Sequence, residues 1–228
     1  AWNSKMWNST SGLLLWMSHP AWPSMVWQIY SWDYETFGSF YGCRKACEPI
    51  HIQKNLDDQK VVVVNTSLKE IKGAKVIYEV YSLEGKSLFK RTSKLNVLAN
   101  GLTECFVQDK PISASGVYME RLILQDKRGK VISINDYWQD NGEGDFQGFN
   151  ALEEASINCK LIRQEKSQIQ IELQNTGAMP ALALKLNVRE ADTDKRILPA
   201  YASDGYFNLL PGEKRTVTVE YVSRGKVA

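Results

Sequence analysis

The chain has 228 residues, a formal net charge of +2, 43% hydrophobic residues and 24% charged ones. This composition is globular and excludes a disordered chain, and the length suits one large domain or two of about 100 residues each. No apolar run approaches the roughly 20 residues of a membrane span, and lysine and arginine do not cluster as a nucleic-acid footprint does.

The residues are unevenly spread. Trp2, Trp7, Trp16, Trp22, Trp27 and Trp32 crowd the start, and only Trp138 lies elsewhere. Up to Gly42 the only charged side chains are Lys5, Asp33 and Glu35. The first forty residues therefore read as buried or ligand-facing. Apolar residues at 2, 6 and 7 have helical spacing. Leu13 to Met17 is a continuous apolar run, the pattern of a strand covered on both faces. His19-Pro20-Ala21-Trp22-Pro23 forces a loop. Phe37 to Cys47 reads as a helix that Pro49 ends. Helix, buried strand, loop and helix make one α/β unit, which cannot cover its own sheet edges and must belong to something larger.

From Pro49 the period becomes two. Val61 to Val64, Lys75 to Tyr81, Lys86 to Arg91, Thr103 to Val107, Val117 to Gln125 and Lys130 to Tyr137 read as antiparallel strands. Glu84-Gly85 and Asp126 to Gly129 are turns between them. The polar, glycine-rich stretch Asp140 to Asp145 reads as a domain joint. A second strand series follows at Ser156 to Arg163, Gln168 to Asn175, Ala181 to Arg189, Tyr206 to Leu210 and Arg215 to Val222. Both series contain a strand that ends in Asn before a polar turn, at Asn65-Thr66 and Asn175-Thr176, which predicts two related sandwiches.

Cys43, Cys47, Cys105 and Cys159 fit no zinc-ligand spacing, and only two histidines are present. They read as buried free thiols, with a Cys105–Cys159 bridge as the alternative. Asp33 and Glu35 read as loop acids or hydrogen-bonding supports rather than a catalytic pair. Asp57-Asp58 and Asp192 to Asp194 read as turn acids without the spacing of a calcium loop. Ser18 and His19 stand just past the apolar run, where parallel α/β folds bind ligands. As adjacent residues they are not a nucleophile–base pair, so His19 is either a substrate hydrogen bonder or a structural loop residue. Trp22 sits between Pro20 and Pro23, a rigid setting that suits stacking on a sugar ring. Trp27, Tyr30 and Trp32 follow it, whereas Trp2, Trp7 and Trp16 read as core.

The stretch Ser11 to Asp33 resembles the end of the catalytic barrel of glycoside hydrolase family 2, in the branch of exo-β-D-glucosaminidases and β-mannosidases. The shared features are an apolar strand ending in Trp16-Met17, then Ala21-Trp22-Pro23-Ser24, then Trp27-Gln28-Ile29-Tyr30. Phe40 to Gln53 resembles the last barrel helix and the entry to the next domain. Ile197-Leu198-Pro199 with Ser203 to Glu213 resembles the terminal immunoglobulin-like domain. The resemblance implies a mainly β fold: the end of a (β/α)8 barrel at 1–48, then immunoglobulin-like sandwiches at 49–142 and 143–228. It implies retaining hydrolysis of terminal β-linked sugars by two glutamates placed before Ala1, so no catalytic residue is carried over. Ser18, His19 and Trp22 fall where the family lines its sugar subsite. Ser18-His19-Pro20 departs from the Asn-Asn that often precedes Ala-Trp-Pro there, which leaves the sugar open. The implied partners are an oligosaccharide or glycan substrate and the missing N-terminal barrel of the same protein, with no cofactor, metal, nucleic acid or membrane span, in a secreted or periplasmic setting. The chain by itself is then expected to be inactive. A carbohydrate-binding module without hydrolysis is the alternative, and an adhesion protein would leave the α/β unit unexplained.

Overall fold

The computed structural model describes residues 2–6, 8–24, 28–108, 116–140, 142 and 144–222. The chain forms two compact units, one made of Ala1–Leu14 with Lys45–Leu152 and the other of Leu15–Arg44 with Glu153–Ala228.

The first unit contains β1 (Ile50–Lys54), β2 (Lys60–Asn65), β3 (Ile71–Ser82), β4 (Ser87–Val97), β5 (Gly101–Val107), β6 (Tyr118–Gln125) and β7 (Val131–Gln139). They pair antiparallel in two sheets, β1-β2-β5 and β4-β3-β6-β7. Alternation sets the interior. Val76, Tyr78 and Val80 of β3, and Tyr118, Leu122 and Leu124 of β6, are fully buried and share one core with Ile52, Val61 and Val63. β2 is the middle strand of its sheet, and Val61 to Val64 are buried on both faces. A 3₁₀ turn at Trp2–Lys5 lies against this strand, with Ser4 Oγ donating to Asn55 Oδ1 at 2.8 Å. Each buried valine contributes about 1.5–3 kcal/mol. A second 3₁₀ turn, Gln147–Ala151, also belongs to this unit, and its Phe149 ring meets Trp138 edge-on at 5.1 Å.

The second unit contains β8 (Ile157–Gln164), β9 (Gln168–Asn175), β10 (Ala181–Leu184), β11 (Ala200–Ala202), β12 (Phe207–Leu209) and β13 (Lys214–Tyr221). Its sheets are β11-β13-β9-β8 and the short pair β10-β12. Ile169, Leu173, Phe207, Leu209, Val217 and Val219 fill the space between them. The helix α1 (Gly38–Ala46) contributes Tyr41 to that core.

The two antiparallel sandwiches and the helix agree with the sequence reading. Several local expectations do not hold. Leu13 to Met17 forms no strand, and no described strand pairs with it. Its side chains are exposed, Leu14 at 97%. A continuous apolar run is buried only where neighbours cover both faces, and none of the described elements does so here. Trp2 and Trp16, expected in the core, are exposed for the same reason, at 61% and 80%. Trp7 lies outside the described residues. The helical spacing of the first residues yields only the 3₁₀ turn. The strand expected over Ala181 to Arg189 stops at Leu184, after an irregularity in its pairing with β12.

Candidate functional site

The candidate site is built on the loop around Ser18, His19 and Trp22, which belongs to the second unit. The Ser18 carbonyl accepts hydrogen bonds from the Ile29 and Tyr30 amides, both at 3.0 Å, and these close the base of the loop. Pro20 is buried, which anchors the near side. Ser18 Oγ and His19 Nδ1 lie 3.1 Å apart, and the His19 ring lies 5.7 Å from the Tyr34 ring. Trp22 is 68% exposed, and Trp32 and Tyr34 are exposed as well. The structure therefore joins Ser18, His19 and Tyr34 and sets Trp22 out on the same loop. Trp27 lies outside the described residues.

The far side of the loop is tied down by residues that are distant in sequence. Phe37 N donates to the Ile29 carbonyl at 3.2 Å, and Ser39 Oγ to the Gln28 carbonyl at 2.9 Å. Glu35 is mostly buried, and its carboxylate is paired with both Lys185 and Arg196. Lys185 is held below the usual lysine range by burial first and then by the Arg196 charge beside it. Asp33 accepts a hydrogen bond from Ser31. The two loop acids are thus hydrogen-bonding supports, as the sequence suggested, and not a free carboxylate pair. Tyr41 packs its ring against the backbone at Gly205 and shares a 3.0 Å hydrogen bond with Thr36. Arg44 donates to the Ala202 carbonyl at 2.9 Å. Sequence reasoning missed Tyr34, Lys185 and Arg196. The Trp-x-x-Tyr motif points to Tyr30, but nothing local marks the two cations.

The other candidates are structural. Asp57 and Asp58 pair with Lys5 at 3.2 and 3.5 Å, and Asp194 pairs with Arg189 at 2.7 Å. All four cysteines are free, so the Cys105–Cys159 bridge is not formed. The expectation of buried thiols fails for Cys43, Cys47 and Cys159, which are exposed: Cys43 lies on α1, Cys47 just past its end and Cys159 on the edge strand β8. Burial, with Glu104 beside it, pushes the Cys105 thiol up to about 12. Among the described residues no group of His, Cys, Asp and Glu side chains forms a metal site, and no helix is long and apolar enough to cross a membrane. The Asn65-Thr66-Ser67 sequon is closed to glycosylation, because Asn65 is buried and its amide is bonded to two carbonyls.

Comparison with known proteins fits this architecture. Residues 57–141 match the family described as a mannosidase Ig/CBM-like domain, and residues 135–228 match the exo-β-D-glucosaminidase Ig-fold domain. An exo-β-D-glucosaminidase of Amycolatopsis orientalis is 28% identical over 240 residues, covering 94% of this chain and 23% of the relative. A mannosylglycoprotein endo-β-mannosidase of Lilium longiflorum is 25% identical, covering 96% of this chain and 30% of the relative. The crystal structure of the Amycolatopsis orientalis exo-chitosanase superposes with a TM-score of 0.87 at 26% identity, over 99% of this chain and 30% of that one. A β-D-mannosidase of Dictyoglomus thermophilum, at 18% identity and a TM-score of 0.72, shares the fold over 100% of this chain and 27% of its own. The chain thus spans between 23% and 30% of the length of these proteins. Both sandwich models matched in order, and homologues aligned along nearly all of the chain, fit a C-terminal portion of a glycoside hydrolase family 2 protein of the exo-β-D-glucosaminidase and β-mannosidase branch.

Proposed function

We propose that this chain is part of a retaining exo-β-glycosidase that removes terminal β-linked glucosamine or mannose, and that it supplies one wall of the sugar subsite. The observation that carries this reading is the alignment of exo-β-D-glucosaminidases through the exposed aromatic loop as well as both sandwiches. Trp22 presents its face to the apolar C–H side of a sugar ring, and His19 and Ser18 hydrogen-bond to its hydroxyl or amino groups. Retaining hydrolysis needs two carboxyl groups about 5–5.5 Å apart, one as nucleophile and one as acid/base. Glu35 and Asp33, the acids nearest the loop, are occupied by Lys185, Arg196 and Ser31. In this reading the catalytic glutamates belong to a part of the parent enzyme outside this sequence, and the sandwiches support the barrel that carries them.

Two measurements test this. The chain alone is expected not to hydrolyse p-nitrophenyl β-D-glucosaminide or β-D-mannoside, and clear turnover of either would overturn the placement of the glutamates. In the full-length enzyme, Trp22→Ala is expected to raise KM about tenfold with a smaller change in kcat, the loss of roughly one stacking contact. An unchanged KM removes Trp22 from the subsite.

A further inference from the structure

The second sandwich carries a face that the subsite does not use. On the outer side of its larger sheet, Tyr201 of β11 is the ladder partner of Glu220 of β13, and Glu220 is the partner of Gln168 of β9. Their neighbours Ala202, Val219 and Ile169 point the other way, into the core. The three outward side chains thus form a row across three strands. A cleft of about 430 Å³ opens over this row and is also lined by Glu165, Ser167 and Pro199. That volume lies in the usual range for small-ligand sites. Two strand spacings make the row about 10 Å long, close to a disaccharide.

The side chains suit one ligand chemistry. The Tyr201 ring is partly open to solvent, with 39% exposure. Glu165 is paired with Arg163. Glu220 accepts a long hydrogen bond of 3.4 Å from the neutral Gln168 amide. Among the described residues no cation pairs with the Glu220 carboxylate, and a carboxylate next to an open aromatic face matches a protonated amino sugar. The ring takes the C–H face, the carboxylate takes the ammonium, and Gln168 and Ser167 remain for hydroxyl groups. The cleft also lies near the loop of the first proposal. Tyr30, whose amide is bonded to Ser18, has its phenol raised above the ordinary tyrosine range by burial first and by Tyr201 next.

We propose that the Tyr201–Glu220–Gln168 cleft binds β-linked glucosamine oligosaccharides, giving the second sandwich a substrate-holding role of its own. The choice of an amino sugar rests on the glycosidase reading above, whereas binding at the cleft does not require the barrel.

The test is calorimetry on the whole chain with glucosamine hexamer, its N-acetylated counterpart and mannohexaose. The glucosamine hexamer is expected to bind best, and to weaken as rising pH removes the proton from its amines. Tyr201→Ala and Glu220→Gln are each expected to weaken it at least fivefold, while Tyr201→Phe retains it. Both sites are on the sheet surface, and an unchanged unfolding midpoint checks that the variants fold. Hexamer affinity unchanged in both variants, no binding heat, or tighter binding of mannohexaose overturns the proposal. Loss of binding in Trp22→Ala with full binding in Tyr201→Ala overturns the cleft and leaves the Trp22 subsite standing. Cleft binding in this chain together with no action of the full-length enzyme on glucosaminides overturns the glycosidase reading instead.

Discussion

Each sandwich contains the same kind of buried asparagine joint, and the two fill their interiors differently. At the end of β2, the Asn65 amide donates to the Lys69 and Leu98 carbonyls at 2.9 and 2.8 Å, and its Oδ1 accepts from the Ser67 amide at 2.9 Å. At the end of β9, Asn175 donates to the Met179 and Leu209 carbonyls at 2.8 and 2.9 Å and accepts from the Gly177 amide at 3.0 Å. Thr66 and Thr176 then give both N–H and hydroxyl to the carbonyl just ahead of the first strand, Pro49 or Ser156. One side chain ties a turn, a strand end and the opposite sheet together in each unit, which no aliphatic residue could do without stranding polar backbone.

Beyond that joint the units diverge. The first closes its core with a buried ion pair that links its two sheets. Lys54 Nζ of β1 donates to both oxygens of Glu120 on β6, at 2.7 and 2.9 Å, and the Tyr78 hydroxyl of β3 adds a bond at 2.9 Å. The second has only the two-stranded β10-β12 on one side and completes its core with Tyr41 from outside the strand series. The first sandwich is self-contained in its chemistry, whereas the second depends on the segment that also carries Trp22. This gives the second sandwich a direct mechanical link to the proposed sugar loop.

The largest expected effect is on the ion pair. Lys54→Met leaves Glu120 buried without its cation and is expected to cost about 3–5 kcal/mol. Adding Glu120→Gln should recover much of that. Hydrogen exchange should show the loss in β3 and β6 and not in β9 and β13. A double variant as unstable as the single one would break the account of how the first core is closed.

Asn65→Ala and Asn175→Ala come next. Each leaves buried carbonyls unpaired and should cost about 2–3 kcal/mol in its own sandwich. Clearly unequal losses, read from urea unfolding with exchange resolved by strand, would show that the shared joint is not equivalent. Gly205→Ala should cost about 1–3 kcal/mol in the second sandwich alone, through overpacking. A Cβ there would stand 2.6 Å from the Tyr41 ring, and Tyr41→Leu in the same chain should relieve part of the loss.

The smallest effect is on acid stability. Burial pushes Glu48 up, but hydrogen bonds from His51, Ser133 and Lys45 overcome it and hold the carboxyl below its ordinary 4.5. A depressed carboxyl stabilises the fold above its unfolded value and loses that contribution as pH falls through the folded value. The first sandwich should therefore weaken below about pH 4.5, and Glu48→Gln should flatten the slope. An unchanged slope would move the acid sensitivity to other carboxylates.

Much of the strand architecture was legible. Gln168 to Asn175 is β9 as read, and the alternation of Lys75 to Tyr81 is the buried face of β3. Alternation reports which side of a strand meets solvent, so it survives without knowledge of the partner. The three-residue β11 was missed because it is too short to show a period. Leu13 to Met17 was misread because apolarity states that a segment wants cover but not whether cover is present. At the site, the Ser18–His19 contact follows from adjacency, whereas the clamp on Glu35 does not, because Lys185 and Arg196 arrive from the segment between β10 and β11, far along the chain.

By itself the sequence determined the period of each strand, the proline-bounded loop that displays Trp22 and the family to which the motifs point. All of these depend on neighbours within a few residues or on a pattern shared with relatives. Tertiary structure alone decided that Lys54 meets Glu120, that Tyr41 completes the second core, and that Tyr201, Glu220 and Gln168 form a row. Such contacts depend on strand register, and register is set by how whole sheets pack rather than by any local stretch of chain.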